Sequence, residues 1–238
     1  MPVVPNRASA HRTVDELPAA AELRGADELR GAAELPRDLV ARGLQAARDA
    51  IETEAAAVSA LAGRLDGVFL DVLTAVARCE GHLVVTGLGK SGLVGRKIAA
   101  TLASTGTPAT FIHSGDALHG DSGAVTNRDI VLALSASGET AEVCAFARML
   151  RERDIPVIAM TGREQSTLAR LATYTLDTMV LREADPLNLA PTASTTASLA
   201  MGDALACALV VLREFSHQDF ARFHPSGALG KRLREDQA

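Results

Sequence analysis

The chain has 238 residues, 47% hydrophobic and 22% charged, with a formal net charge of −5, enough for a large core in one domain with extra segments. An acidic chain with 3% aromatic residues, no Trp and a single Tyr (Tyr174) lacks the basic face and stacking rings of a nucleic-acid binder. The longest apolar stretch near the C-terminus, 204–212, falls short of the roughly 18–20 residues of a membrane span, and MPVVPNRASAHR at the start has no apolar centre to make it a secretory signal.

Residues 1–36 stand apart. E-L-R-G recurs at Glu22 to Gly25 and Glu28 to Gly31, with Pro2, Pro5 and Pro18 and glycine breaks between. This composition predicts a flexible N-terminal tail; an intersubunit arm is the alternative. From Arg37 apolar residues recur at helical spacing (Leu39, Val40, Leu44, Ala47, Ile51, Ala55, Val58, Leu61), and a second helix follows over 65–79. The pattern then alternates: strand 82–87, helix 93–104, strand 109–113, strand 129–135, helix 141–153, strand 155–160, strand 174–180 and a long helix over 195–215. Short strands apolar on both faces, alternating with helices, predict a five-stranded parallel sheet in a three-layer α/β/α sandwich, preceded by two helices and spanning 37–238. Cys79, Cys144 and Cys207 are odd in number, far apart and in apolar helical patterns, which reads as buried free thiols of a reducing cytosol.

In an open parallel sheet the ligand sits beyond the carboxyl ends of the strands. The first such turn is Gly87-Leu88-Gly89-Lys90-Ser91-Gly92. It matches G-x-G-x-x-G, yet the next strand ends in Ile112-His113 rather than the acid that would hold a ribose, and Val84 stands where a P-loop needs Gly. What remains is a turn whose glycines, Gly89 among them, let the backbone approach a ligand while Lys90 and Ser91 face it from a helix start. The second turn is Ser135-Ala136-Ser137-Gly138-Glu139-Thr140. Capping a helix needs one hydroxyl; three with a glycine make a cradle for a monoester phosphate. Thr192-Ala193-Ser194-Thr195-Thr196 offers further hydroxyls before the long helix, for capping or for a ligand.

These motifs resemble the sugar isomerase (SIS) domain family, whose signature S-x-S-G-E-T approaches. GLGKSGLVGRKIAATLASTGTPA, His119-Gly120-Asp121, Arg182-Glu183-Ala184-Asp185-Pro186-Leu187-Asn188-Leu189-Ala190-Pro191-Thr192, STTASLAMGDALA and His224-Pro225-Ser226-Gly227-Ala228-Leu229-Gly230-Lys231 are similar to its arabinose-5-phosphate isomerase branch, over about 51–233. The resemblance implies a flavodoxin-like sheet, a small phosphosugar substrate, no metal or redox cofactor, a cytoplasmic homotetramer with sites completed by a neighbouring chain, and interconversion of D-ribulose 5-phosphate and D-arabinose 5-phosphate through an enediolate. Many members continue into paired CBS modules; with about five residues after Leu233, the form expected here is one without them.

The resemblance also maps the catalytic candidates onto Lys90, Glu139, Glu183 and His224. Such a reaction needs a base beside the carbonyl, a donor to the oxygens and positive charge near the oxyanion. Glu183 is the expected carbon base, His224 assists ring opening and proton shuttling, and Lys90 stabilises negative charge. Glu139 orients the substrate or serves as an alternate base. A lone glutamate is ordinarily a solvated charge; Pro186, Pro191 and the apolar neighbours set Glu183 apart. Gly89, Ser91, Ser135, Ser137, Gly138 and Thr140 are expected around the substrate and its phosphate, with Ser194 and Thr195 as further candidates. His119 packs structurally, lines the site or binds an inhibitory metal; His11, His82, His113 and His217 have no cluster. Two other functions fit a compact chain of this kind: 6-phospho-3-hexuloisomerase, and a phosphosugar sensor without catalysis.

Overall fold

The structure, a computed structural model, describes residues 35–225. The expected tail lies outside the described residues but for Leu35 and Pro36, as do 226–231 of the last motif. The chain divides into two compact units, Met1–Asp49 and Ala50–Ala238. The first contributes the beginning of α1 (Arg37–Leu61); everything below concerns the second.

In chain order the second unit holds the rest of α1, then α2 (Gly67–Ala77), β1 (Leu83–Gly87), α3 (Gly89–Ser104), β2 (Ala109–His113) and α4 (Ser114–Ala117). These are followed by β3 (Ile130–Leu134), α5 (Ala141–Glu152), β4 (Val157–Thr161), α6 (Thr167–Leu171), β5 (Tyr174–Asp177), α7 (Ala193–Leu212) and α8 (His217–Phe223). Among the described residues the strands form one sheet in the order β2-β1-β3-β4-β5, every pair parallel. This is the expected three-layer α/β/α sandwich, and α6 is the crossover that a parallel β4–β5 pair demands.

Alternation along the strands sorts the core into two layers. Leu83, Val85, Ile130, Leu132, Leu134, Ile158, Met160 and Leu176 pack with Ile98, Leu102, Met201, Leu205 and Leu209 of α3 and α7. Val84, Val131, Ala133, Val157 and Ala159 point the other way, onto Val143, Phe146, Ala147, Leu150 and Leu168 of α5 and α6. β1, β3 and β4 are buried on both faces, which explains their unbroken apolar runs, while the edge strands β2 and β5 are partly exposed. Of the cysteines expected to be buried, Cys144 is; Cys79 is half-buried and Cys207, on the outer side of α7, is exposed. Small side chains let the helices approach closely: a Cβ on Gly202 of α7 would lie 2.5 Å from Ile98 of α3.

Boundaries shift in two informative places. The helix expected from residue 93 begins at Gly89, so the glycine-rich segment is the first turn of α3 rather than a loop before it; Gly89 enters it at φ +56°, a conformation glycine adopts without strain. The helix expected from 195 begins at Ala193 and runs 20 residues, so by length and mean hydropathy (1.7) α7 could cross a membrane, beyond what the 204–212 stretch indicated. Ala197, Met201, Leu205 and Leu209 are nonetheless at most 1% exposed in the core, where they face the sheet.

Strand register sets the functional edge. Gly87 is opposite Leu134, Leu134 opposite Met160, and Thr161 opposite Asp177. The segments beginning at 87, 135, 162 and 178 therefore leave the sheet side by side, and the strand order reverses between β1 and β3, the switch point where such sheets bind ligands.

Candidate functional site

A cleft of about 280 Å³ opens at this edge, lined by Ala136, Ser137, Gly162, Arg163, Thr178, Val180, Glu183 and Ser194. Its size is close to the lower end of small-molecule clefts, roughly 300–1,000 Å³. A second hollow, lined by Arg151, Asp154, Ile155, Pro156, Leu171 and Thr173, lies at the amino ends of β4 and β5, the wrong end for ligand binding in an open parallel sheet.

The turn after β3 folds around its own hydroxyls. Ser135 Oγ and Thr140 Oγ1 are 2.9 Å apart, Gly138 N donates to Ser135 Oγ at 3.1 Å, and Glu139 N donates to Ser137 Oγ at 3.2 Å. Thr140 occupies the N-cap of α5 without a side-chain capping bond. The three hydroxyls therefore shape a loop over a 12-residue helix whose first N–H groups carry no side-chain cap, an arrangement suited to an anion. Gly138 sits at φ +66° with Ser166 tight against it.

Glu183 is the most constrained carboxylate of the cleft. Its Oε2 accepts from Thr192 N (2.8 Å), Thr192 Oγ1 (3.2 Å) and Ser194 N (3.1 Å), capping the start of α7 from nine residues upstream. No hydrogen bond to a described residue reaches Oε1. The loop between is rigid: Asp185 accepts from the backbone N–H of Leu187, Leu189 and Ala190, Asn188 Oδ1 accepts from Glu183 N at 2.7 Å, and Thr192 Oγ1 accepts from Ala184 N at 2.7 Å. Burial pushes the Glu183 carboxyl up, but the neighbouring Ser194 hydroxyl, the N–H groups of Thr192 and Ser194 and the Thr192 hydroxyl outweigh it, so the group lies below the ordinary carboxylate range. The Ser194 hydroxyl is enclosed beside this carboxylate, near enough to lower it, though its Oγ meets no hydrogen-bond geometry with a described residue.

The other expected residues fall as follows. Ser137, Glu183 and Ser194 meet in the cleft; Ser135, Gly138 and Thr140 build the turn beneath it. Gly89, Lys90 and Ser91 start α3 at the same sheet edge, with Lys90 exposed, but do not line the cleft. Thr195 spends its hydroxyl on Thr192 O at 2.8 Å. Glu139 turns its carboxylate to Thr167 N at 2.8 Å; the Thr167 hydroxyl and backbone N–H, with Arg170 and Arg163 nearby, hold it below the usual range. His119 is exposed beyond α4. Among the described residues, no three His, Cys, Asp or Glu side chains gather into a group able to hold a metal ion. His224 ends α8, stacked on Phe220 at 3.8 Å with Nδ1 2.9 Å from Phe220 O. A carbonyl only accepts, so Nδ1 is the donor in this contact. Sequence reasoning missed Arg163 and the whole turn after β4; its signal was a Gly and a Ser-Thr pair following an apolar strand.

A doubly wound sheet with an uncapped helix start and a tethered carboxylate at its carboxyl edge is the arrangement of an α/β domain with a small-molecule cleft. The chain belongs to the SIS domain family, whose model matches residues 77–208. Arabinose 5-phosphate isomerase KdsD of Pseudomonas aeruginosa is 50% identical over 190 residues, 80% of this chain and 58% of that protein. KdsD of Escherichia coli K12 is 55% identical over 155 residues, 65% of this chain and 47% of that protein. The chain thus spans about half the length of these curated relatives. Among solved structures, an Escherichia coli CFT073 protein in complex with A5P superposes with a TM-score of 0.75 at 38% identity, over 81% of this chain and 100% of that one.

Proposed function

We propose that the protein interconverts D-ribulose 5-phosphate and D-arabinose 5-phosphate. The observation that carries the reading is the Glu183 carboxylate, anchored through Oε2 with Oε1 left for chemistry, in one cleft with Ser137 of the anion-binding turn. Relatives named arabinose 5-phosphate isomerase, and a similar structure holding A5P, supply the substrate. Glu183 Oε1 takes a proton from C1 of the ketose; the C–H electrons become the C1–C2 double bond and the carbonyl O2 takes the charge as the enediolate. The Glu183 acid returns its proton to C2 while the O1 hydroxyl proton passes to O2 by way of His224, which leaves the C1 aldehyde of the aldose. Ser194, which lines the cleft, donates to a sugar oxygen, and Lys90 balances the negative charge. His224 acts on a neighbouring chain's site in a cytoplasmic homotetramer. That reading is supported by the absence of His224 from the residues lining the cleft and by the exposed Ile51, Leu70, Val211 and Leu212, apolar side chains that association would cover.

The purified protein is expected to turn over ribulose 5-phosphate without added metal and to label C2 of the aldose when run in deuterated water. Turnover of hexulose phosphate alone assigns it as a 6-phospho-3-hexuloisomerase; binding without turnover makes it a sensor. Ser137→Ala is expected mainly to raise KM, because phosphate contacts persist through the reaction. A lost charge-assisted hydrogen bond of roughly 1.5–3 kcal/mol corresponds to about a ten- to hundredfold loss in kcat/KM. An unchanged KM would place the phosphate elsewhere.

A further inference from the structure

The turn after β4 is stitched to the anion-binding turn along its length. Gly162 N donates to Ala136 O at 3.0 Å, Thr167 N to Glu139 Oε1 at 2.8 Å, and Leu168 N to Gly138 O at 3.0 Å. Ser166, 2% exposed, closes the seam against Gly138, where an added Cβ would lie 2.0 Å from Ser166 Oγ. Arg170 braces the outer side by donating to Gln165 O and Thr167 Oγ1. Two turns joined this way hold a fixed spacing.

Arg163 rides on that seam. Its backbone is used at both ends, N donating to Thr161 Oγ1 at 3.3 Å and O accepting from Ser166 N at 3.1 Å. Arg163 is exposed and lines the cleft with Ser137 and Glu183; its side chain forms no ion pair or hydrogen bond with another described residue, and its charge is near enough to Glu139 to lower that carboxyl. The electrostatics of the site call for a cation there. A monoester phosphate brings a charge of about −1.5 to −2 at neutral pH beside Glu183 and Glu139, in a chain whose net charge is −5, and the turn itself offers only hydroxyls and N–H groups. Lys90 starts from β1, with β3 between it and β4, so it is a separate charge.

We infer that Arg163 is the cationic member of the phosphate site, its planar fork binding two oxygens of a sugar-phosphate dianion opposite Ser137. The inference rests on the sugar-phosphate reading of the cleft and adds to it the residue that recognises the dianion. Arginine suits this position because its donors lie in one plane and match two phosphate oxygens together. The guanidinium selects phosphorylated sugars over neutral ones, since a neutral hydroxymethyl end leaves it nothing to bind.

The test is calorimetric titration of the full chain with inorganic phosphate, alongside steady-state kinetics with arabinose 5-phosphate. Arg163→Gln is expected to weaken phosphate binding and to raise KM, each by roughly 10–100-fold, with kcat within about threefold of wild type. Arg163→Lys is expected to recover part of both losses, because the charge returns without the fork. The melting temperature of both variants is expected to match wild type, since the residue is exposed and its side chain hydrogen-bonds to no described residue. A Gln variant that binds phosphate as tightly as wild type overturns the inference, as does a rise in KM with phosphate affinity unchanged, which would put the guanidinium on the sugar. A wild-type protein without phosphate affinity overturns it too. If phosphate binds and is lost in Arg163→Gln while no pentose phosphate is turned over, the inference stands and the isomerase reading falls.

Discussion

Glu183→Gln is expected to lower kcat by roughly 10²–10⁴ with KM little changed, the usual contribution of a positioned general base. The amide keeps an oxygen for Thr192 N and Ser194 N, so the cap on α7 survives and the loss reports on proton affinity rather than on folding. Glu139→Gln is expected to cost less, because that carboxylate is spent on Thr167 N. The readout is exchange of the C2 proton of bound substrate with solvent. A Glu183→Gln protein that exchanges at the wild-type rate while Glu139→Gln does not would reverse the assignment. The pH dependence has a definite sign. In the proposed mechanism the base works ionised, and the Glu183 carboxyl is held low, so the acid limb of kcat is expected below the ordinary carboxylate range, with turnover falling only as pH drops through that depressed value; kcat/KM also carries the second ionisation of the substrate phosphate, at about 6. An acid limb of kcat near neutrality would assign the base to a histidine.

Gly138→Ala is expected to damage stability and binding together. The residue sits at φ +66°, and a Cβ there would meet Ser166 Oγ at 2.0 Å, Ser166 Cβ at 2.3 Å and Thr161 Oγ1 at 2.9 Å. The left-handed backbone costs an L-residue roughly 1–2 kcal/mol, and forced overpacking typically about 1–3 kcal/mol. At roughly 2–4 °C of Tm per kcal/mol for a domain of this size, thermal unfolding detects either contribution. The loop can relieve the clash only by parting the seam between the two turns, so KM for the phosphorylated substrate is expected to rise at least roughly tenfold, the scale of one charge-assisted hydrogen bond. Gly138→Ala combined with Ser166→Gly removes the atoms the methyl strikes and is expected to recover part of the KM loss; no recovery would locate the damage in the backbone alone.

The sandwich was legible because strands buried on both faces write themselves as short apolar runs, and because Ser135 to Thr140 and the segment after Glu183 are local motifs. What escaped was non-local. Strand 155–160 was followed directly by strand 174–180, although two parallel neighbours require a crossover; the five-residue α6 is too short to show a helical period, and Arg163 was lost with it. The Thr192–Thr196 hydroxyls read as groups for capping or for a ligand; the cap comes from Glu183 through a folded loop that spacing does not reveal. His224 was tied to the site by motif alone, and its own chain holds it on Phe220.

Under the proposed mechanism Glu183 both caps α7 and moves the proton, and a side chain with two obligations bears on how such domains change over evolutionary time. A descendant that gave up proton transfer and kept only ligand binding would still need an acceptor at the start of its longest core helix. Selection for folding alone would retain a glutamate or glutamine there. Substitution to Gln would then be the least disruptive route from enzyme to receptor: a single step that silences the chemistry and leaves the architecture, the anion cradle and the helix end in place.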